Sequence, residues 1–118
     1  MGEVIRHSNV EILSDSKRAF ERILYLIENS KQSIFCMIFW FDMEEFSRAL
    51  LRSARNGVRI SLITDRRSFE SRNGAQFEES MKSLSVVPNS EVRVWDGRGL
   101  YHQKIIVIDG ENVIIPSF

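Results

Sequence analysis

The sequence predicts an α/β domain in which helices flank a mixed β-sheet. Three observations support this prediction: apolar residues recur at helical spacing in three segments, short apolar or alternating runs lie between them, and turn residues separate the two patterns. Strands that alternate with helices are typical of the α/β class. The 118 residues contain no Pro or Gly cluster, which indicates a single domain over residues 1–118 with one hydrophobic core.

The first half of the chain is predicted to form a strand, a helix, a second strand and a second helix. Residues 10–13 form the first strand, and residues 14–16 offer N-caps for a helix that ends at residues 29–30. Residues 33–41 are continuously apolar, which predicts a strand buried on both faces. A capping box at residues 42–45 then begins an amphipathic helix, which ends in a left-handed C-cap at Asn56-Gly57.

The second half is predicted to form one helix and four strands, of which the last two make a hairpin. Residues 58–64 alternate as a strand, and the polar segment that follows them forms a loop over residues 65–74. The third helix is predicted over residues 75–84. The remaining strands are predicted at residues 92–95, 101–108 and 113–115, with turns at residues 88–90, 96–99 and 109–110.

Composition limits the possible functions. Sixteen basic residues balance sixteen acidic residues, so the sequence lacks the basic excess that is typical of nucleic acid-binding proteins. The single cysteine, Cys36, excludes an internal disulfide and a cysteine-based zinc site, and its apolar surroundings predict a small buried hydrophobe. We see neither a signal peptide nor an apolar run long enough for a transmembrane segment, and we therefore expect a cytoplasmic location.

The strand predicted to begin at residue 101 carries the strongest chemical signal. Side chains alternate along a strand, so His102 and Lys104 point to one side, and the isoleucines that follow continue that side into a core. Burial of a His and a Lys would cost free energy without structural gain, so we expect this end of the strand to open into a site. An imidazole can attack phosphorus or transfer protons near neutral pH, and an ammonium can hold a phosphate. Asp109 follows at the strand end, where a carboxylate can orient groups in the turn.

The pattern His102-x-Lys104-x4-Asp109 resembles the HKD signature of the phospholipase D superfamily. Upstream, residues 54–60 resemble the recurrent Ala-x-x-Gly-Val-x-Val passage of that family. Downstream, members usually carry a Gly-Ser pair and then an Asn. Here Ser117 stands at the matching place, but Pro116 replaces the Gly and the sequence stops one residue later. The resemblance therefore implies a phospholipase D-like half-fold that lacks the C-terminal elements of the family.

The resemblance implies a metal-independent phosphodiesterase that needs no cofactor. In such an enzyme His102 would attack phosphorus to form a phosphohistidine, Lys104 and Ser117 would bind the substrate phosphate, and Asp109 would complete the catalytic set. A second His would protonate the leaving group. His7 lacks a Lys two residues on, so the second motif is expected from a homodimer partner or from another HKD domain.

Three functions remain open from the sequence. The first is a nuclease that acts on DNA or RNA, as in the small single-motif bacterial endonucleases that the chain resembles. The second is a phospholipid phosphodiesterase or transferase of the phospholipase D or cardiolipin synthase type, which would act on a phospholipid surface. The third is an inactive HKD-derived binding or dimerisation module, which Pro116 and the early stop would favour.

Other residues near the expected site receive plainer interpretations. Arg66, Arg67 and Arg72 follow the third predicted strand and are interpreted as a solvated loop, although they could instead grip a phosphodiester backbone. Trp95 lies near the strand that carries the motif and could flank a site. Trp40 and Phe41 are interpreted as core residues.

Overall fold

The computed structural model describes residues 15–38, 44–70, 72–96 and 104–115 of the chain. These residues form three α-helices, α1 (Ser16–Glu28), α2 (Glu44–Arg55) and α3 (Gly74–Ser85). They also form five strands, β1 (Ser33–Ile38), β2 (Arg59–Asp65), β3 (Ser90–Trp95), β4 (Lys104–Ile108) and β5 (Asn112–Ile114). A 3-10 helix, Arg66–Glu70, joins β2 to α3. None of the described helices is long and apolar enough to cross a membrane.

The sheet is mixed, as the sequence predicts. Its strand order is β3-β2-β1-β4-β5. Strands β1, β2 and β3 run parallel, with α2 and α3 as the connections between them. Strand β4 runs antiparallel to β1 and forms a hairpin with β5. Because β4 runs in the opposite direction, it begins at the edge of the sheet where the three parallel strands end.

One face of this sheet carries the core. Alternate residues of β1 (Ile34, Cys36 and Ile38) are buried, and the buried residues of β2 and β4 lie on the same face. They pack against apolar side chains of all three helices. The core consists of Ile23, Ile27, Ile34, Cys36, Ile38, Phe46, Ala49, Leu50, Ala54, Val58, Ile60, Leu62, Phe77, Met81, Leu84, Ile106 and Ile108.

The prediction that β1 is buried on both faces is wrong for the described part of that strand. Phe35 and Met37 are only partly buried, and the described helices cover the opposite face. The register places them beside other apolar residues, in the rows Phe35–Val107–Val113 and Ile63–Met37–Ile105. We call this set of six side chains the open face. A continuously apolar sequence is compatible with burial on one face or on both, because the partly buried positions Phe35 and Met37 are also apolar.

Local capping explains where several elements begin and end. The Asp15 side chain accepts a hydrogen bond from the backbone N–H of Lys17 at 3.0 Å, which caps α1 as predicted. Gly57 has a φ of +94°, the left-handed conformation that the sequence predicts after α2. The predicted strand at residues 10–13 and the first two positions of the capping box lie outside the described residues.

The segment predicted as a loop, residues 65–74, is more ordered than expected. Strand β2 continues through Asp65, the 3-10 helix follows, and α3 begins at Gly74. The Asp65 side chain accepts a hydrogen bond from the backbone N–H of Arg67 at 2.8 Å, which stabilises the turn after the strand. Phe69 packs on Phe77 with ring centroids 5.4 Å apart. Polar composition concealed this packed turn, because its polar groups are satisfied locally.

Candidate active site

The edge where β1, β2 and β3 end is the place where ligands usually bind in α/β sheets. Lys104 lies at this edge as the first residue of β4, opposite Ile38, the last residue of β1. Its side chain is partly buried. A lysine in this position can place its ammonium at the rim of the sheet while its carbon stem lies against apolar neighbours.

The predicted facing of the motif is confirmed where the strand is described. Ile106 and Ile108 are each 1% exposed and belong to the core face. Lys104 lies on that same face, because side chains two residues apart on a strand share a side. His102 and Ser117, the other two residues expected to contact phosphate, lie outside the described residues. Their catalytic and binding roles stay predictions.

Asp109 lies at the opposite end of β4 from Lys104. Four residues of extended chain lie between the two, so their α-carbons are about 16 Å apart. Its carboxylate accepts hydrogen bonds from the backbone N–H groups of Lys31, Gln32 and Ser33, at 3.1, 2.7 and 3.0 Å to Oδ1, and the Lys31 N–H also lies 3.0 Å from Oδ2. These contacts join the end of β4 to the start of β1.

The backbone and ionisation of Asp109 fit this arrangement. Its φ is +56°, a left-handed conformation that Asp and Asn tolerate better than most residues. Desolvation acts to raise the pKa of Asp109, but the backbone hydrogen bonds from Gln32, Ser33 and Lys31 outweigh it and hold the pKa below its usual value. The visible contacts of this carboxylate are therefore with the backbone of residues 31–33, and its predicted membership of the catalytic set has no direct geometric support.

A carboxylate–guanidinium pair lies at the end of β2. Asp65 is 2% exposed, and it binds Arg67 through Nε–Oδ1 at 2.9 Å and Nη2–Oδ2 at 2.5 Å. The hydrogen bond from the Arg67 side chain is the main reason that the pKa of Asp65 lies below its usual value, against the opposing effect of desolvation. The sequence alone predicts that Arg67 belongs to a solvated loop. An acidic residue that ends a buried strand two positions before an Arg was the available signal for this pair.

The remaining arginines expected near the edge are less constrained. Arg66 lies 3.5 Å from Asp96 in an ion pair whose side chains are 62% and 72% exposed, so its orientation is weakly fixed. Arg72 is exposed. Trp95, the last residue of β3, is 37% exposed and pairs in register with Asp65. Trp40 and Phe41 lie outside the described residues.

Cys36 is a core residue and not an available nucleophile. It is fully buried on the helix-covered face, and burial strongly raises the pKa of its thiol. Since the thiolate is the reactive form, this position resists chemistry near neutral pH. The prediction of a small buried hydrophobe is confirmed.

The chain is similar in sequence to one protein family and to curated relatives. Residues 23–118 match the family model described as "Cardiolipin synthase, PLD-like domain". The chain is 30% identical over 105 residues to the mitochondrial cardiolipin hydrolase of Xenopus tropicalis, an alignment that covers 89% of this chain and 47% of that protein. The chain thus spans about half the length of this relative.

Two solved structures share the fold. NucT from Helicobacter pylori superposes with a TM-score of 0.68 at 20% identity, over 84% of this chain and 65% of that one. Nuc from Salmonella typhimurium, described as a phospholipase D family member, superposes with a TM-score of 0.59 at 20% identity, over 80% of this chain and 70% of that one. At this level of identity the likeness shows a common fold.

Proposed function

We propose that this chain, which belongs to the phospholipase D-like family of phosphodiesterase-type enzymes, supplies one half of a phosphoryl-transfer site. The observation that carries the proposal is the sequence spacing His102-x-Lys104, together with the position of Lys104 at the edge where β1 ends. That edge is the usual ligand position in α/β sheets, and the two residue types suit attack on phosphorus and charge stabilisation.

The proposed reaction has two steps and uses no metal. A ring nitrogen of His102 attacks phosphorus and forms a P–N bond while the P–O bond to the leaving group breaks. A His from a second motif donates a proton to the leaving oxygen. Water, activated by that same His, then cleaves the P–N bond and releases the phosphorylated product. Lys104 stabilises the negative charge on the phosphoryl oxygens throughout.

The second motif would come from a partner, either another copy of this chain or a second HKD domain. The full sequence contains two histidines, and His7 lacks the Lys two residues on that the motif requires. The lone buried cysteine suits a reducing compartment such as the cytoplasm, which we propose as the location.

Nucleic acid is the first substrate candidate, with DNA or RNA cleavage as the reaction. Its support is the shared fold with NucT and Nuc and Arg67, which follows β2 at the proposed edge. A phospholipid is the second candidate, favoured by the 30% identity to a protein named a cardiolipin hydrolase. The zero net charge gives nucleic acid no additional support.

The two histidines offer a matched test of the proposal. Cleavage of a fluorescent single-stranded oligonucleotide and hydrolysis of cardiolipin in vesicles would be measured in EDTA, with wild type, His102→Ala and His7→Ala. We expect His102→Ala to lower kcat/KM on the active substrate by at least about a hundredfold, because a nucleophile is lost, and His7→Ala to leave it unchanged.

The same assays separate the alternatives. Turnover of vesicles without turnover of oligonucleotide would make the phospholipid candidate correct. A folded wild-type protein that turns over neither substrate would favour a binding or dimerisation module. Light scattering of the active protein tests the partner requirement, since a monomer with full turnover would contradict a site shared between two motifs.

A further inference from the structure

We propose that Arg67, held by Asp65, binds a second phosphate of the substrate beside the one that reacts near Lys104. This inference rests on the proposed function and narrows it. The substrate class would be a compound with two neighbouring phosphate groups, such as a polynucleotide or a glycerolipid with a phosphate at each end of a glycerol.

The first support is the fixed orientation of the guanidinium. Asp65 binds Arg67 through two parallel hydrogen bonds, and a third bond runs from the Arg67 backbone N–H to the same carboxylate. The carboxylate side chain is only 3% exposed, whereas the Arg67 side chain is 38% exposed. One edge of the guanidinium is therefore anchored in the protein, while part of the side chain remains accessible to a ligand.

The second support is the rigidity of the segment that carries Arg67. Thr64 and Ser68 are both fully buried, and their hydroxyl oxygens are 3.3 Å apart in a hydrogen bond. The 3-10 helix packs directly against the start of α3. The backbone at Gly74 lies so close to the Phe69 carbonyl that a Cβ at position 74 would collide with the carbonyl oxygen. Arg67 thus sits on a packed turn, where orienting it for a ligand costs little entropy.

The third support is the position of the pair along the sheet edge. Lys104 lies opposite Ile38, and Ile38 lies opposite Thr64, so the three share one row across the sheet. Asp65 comes one residue nearer the edge and pairs in register with Trp95 of β3. Two strand spacings separate β2 from β4, about 10 Å. Lys104 begins one of these strands and Arg67 follows the end of the other, so their long cationic side chains can reach phosphates that are neighbours within one substrate.

The chemistry of the two cations fits the two tasks. An ammonium is a compact charge that can follow a phosphoryl group as its bonds change, whereas a planar guanidinium binds phosphate oxygens in a defined geometry. Arg66 lacks this organisation, since its pair with Asp96 is exposed on both sides. Arg66 is therefore the matched control for Arg67.

Substrates with one and with several phosphates test the inference. Bis(p-nitrophenyl) phosphate has a single phosphodiester, a single-stranded oligonucleotide has many, and vesicles can carry either phosphatidylglycerol or cardiolipin. We expect Arg67→Ala to lower kcat/KM about tenfold on the oligonucleotide or on cardiolipin, the loss expected for one charged hydrogen-bonding partner. On bis(p-nitrophenyl) phosphate and phosphatidylglycerol, Arg67→Ala should stay within about twofold of wild type.

The controls define what would overturn the inference. Arg66→Ala should leave every substrate unchanged, and Arg67→Lys should recover only part of the loss because it lacks the planar fork. Equal losses of Arg67→Ala on one-phosphate and two-phosphate substrates, or no loss on either, would overturn the second-phosphate site. If Arg67→Ala lowers kcat/KM on the oligonucleotide, the second phosphate belongs to nucleic acid; if it lowers kcat/KM on cardiolipin, the second phosphate belongs to lipid.

A binding measurement keeps this test separate from the proposed activity. Thymidine dinucleotides with one or two phosphates would be titrated into wild type and Arg67→Ala, with circular dichroism as the check on folding. The extra phosphate should tighten binding to wild type and not to the variant. If no substrate is turned over but this difference is present, the proposed function fails while the phosphate site stands. If the extra phosphate makes no difference to wild type, the phosphate site is wrong.

Discussion

Lys104 and Asp109 of the HKD pattern lie at opposite ends of β4. Lys104 begins β4 at the edge where β1 ends, whereas Asp109 follows the far end of β4 and binds the backbone of residues 31–33. The N–H groups of residues 31–33, which lie just before and at the start of β1, would otherwise need water, and the carboxylate satisfies all three. At the scale of the residue, Asp109 fixes the position of β4 against β1, and through the shared strand it helps to place Lys104.

Replacing Asp109 with Asn tests this contact. Asn tolerates the same positive φ, but its uncharged amide makes weaker hydrogen bonds to the backbone. We expect Asp109→Asn to lower the free energy of unfolding by about 1–2 kcal/mol, measured by urea denaturation at pH 7. The exposed neighbour Glu111 supplies the control, and Glu111→Gln should change stability by less than about 0.5 kcal/mol.

The pH dependence of this effect has a defined sign. The pKa of Asp109 is lower in the folded protein than in an unfolded chain, where it is about 3.9. The carboxylate therefore stabilises the fold above that unfolded value and loses its contribution as pH falls through the folded pKa. The stability gap between wild type and Asp109→Asn should narrow when denaturation is repeated at pH 3. A gap of constant size would show that the charge contributes nothing.

At the scale of the element, periodicity and caps predicted most of the fold. The boundaries of α3, β2, β3 and β5 differ from the sequence prediction by no more than two residues. The failures have physical causes. Residues 65–74 are polar in sequence, yet Asp65 and Ser68 bury their polar groups against partners nearby in the chain. Composition reports polarity, and it cannot report whether a polar group is satisfied locally.

The structure tests only part of the candidate site that the sequence predicts. Strand alternation predicts that His102 and Lys104 share a face, and the structure confirms that Lys104 shares the face of Ile106 and Ile108. The ion pair between Asp65 and Arg67 was missed, because a sequence pattern does not distinguish a solvated arginine from one anchored by a buried carboxylate. Likewise, no periodicity could reveal that the Asp109 carboxylate reaches the backbone of residues far earlier in the chain.

Gly74 provides a prediction for the turn between the 3-10 helix and α3. Helix propensity alone would favour Gly74→Ala by up to about 1 kcal/mol. The methyl group would collide with the carbonyl oxygen of Phe69, however, so we expect a net loss of roughly 1–3 kcal/mol. Urea denaturation decides between the two signs. Gln76→Ala, at an exposed position of the same helix, should leave stability unchanged or slightly increased, and a gain for Gly74→Ala would mean that the turn relaxes freely.

At the scale of the whole molecule, the described layers are unequal. Three helices cover one face of the sheet, while the apolar side chains of the open face are partly buried or, at Val113, exposed. The Xenopus tropicalis relative and both solved neighbours contain polypeptide beyond the region that this chain matches. Because the core residues lie between the helices and the sheet, most of the apolar surface that stabilises the described fold is buried on the helix-covered face.

Substitution of two isoleucines of β2 compares how much each face of the sheet contributes to stability. Ile60 is 0% exposed on the core face, and Ile63 is partly buried on the open face. We expect Ile60→Ala to lower the free energy of unfolding by about 2–5 kcal/mol, and Ile63→Ala by roughly half as much or less, because less apolar surface returns to water. Equal losses in urea denaturation would indicate that something covers the open face in solution.

The backbone contacts of Asp109 also bear on how such domains diverge. A copy that has lost its chemistry is released from selection on His102 and Lys104, but it still must fold, and the link between β4 and β1 contributes to folding. The aspartate of the motif should then be retained more often than the histidine and the lysine in inactive copies of the domain. A genome search that requires all three motif residues would miss these inactive copies. A search that requires only the aspartate, in the turn between two strands, would find them as folded paralogues without catalytic activity.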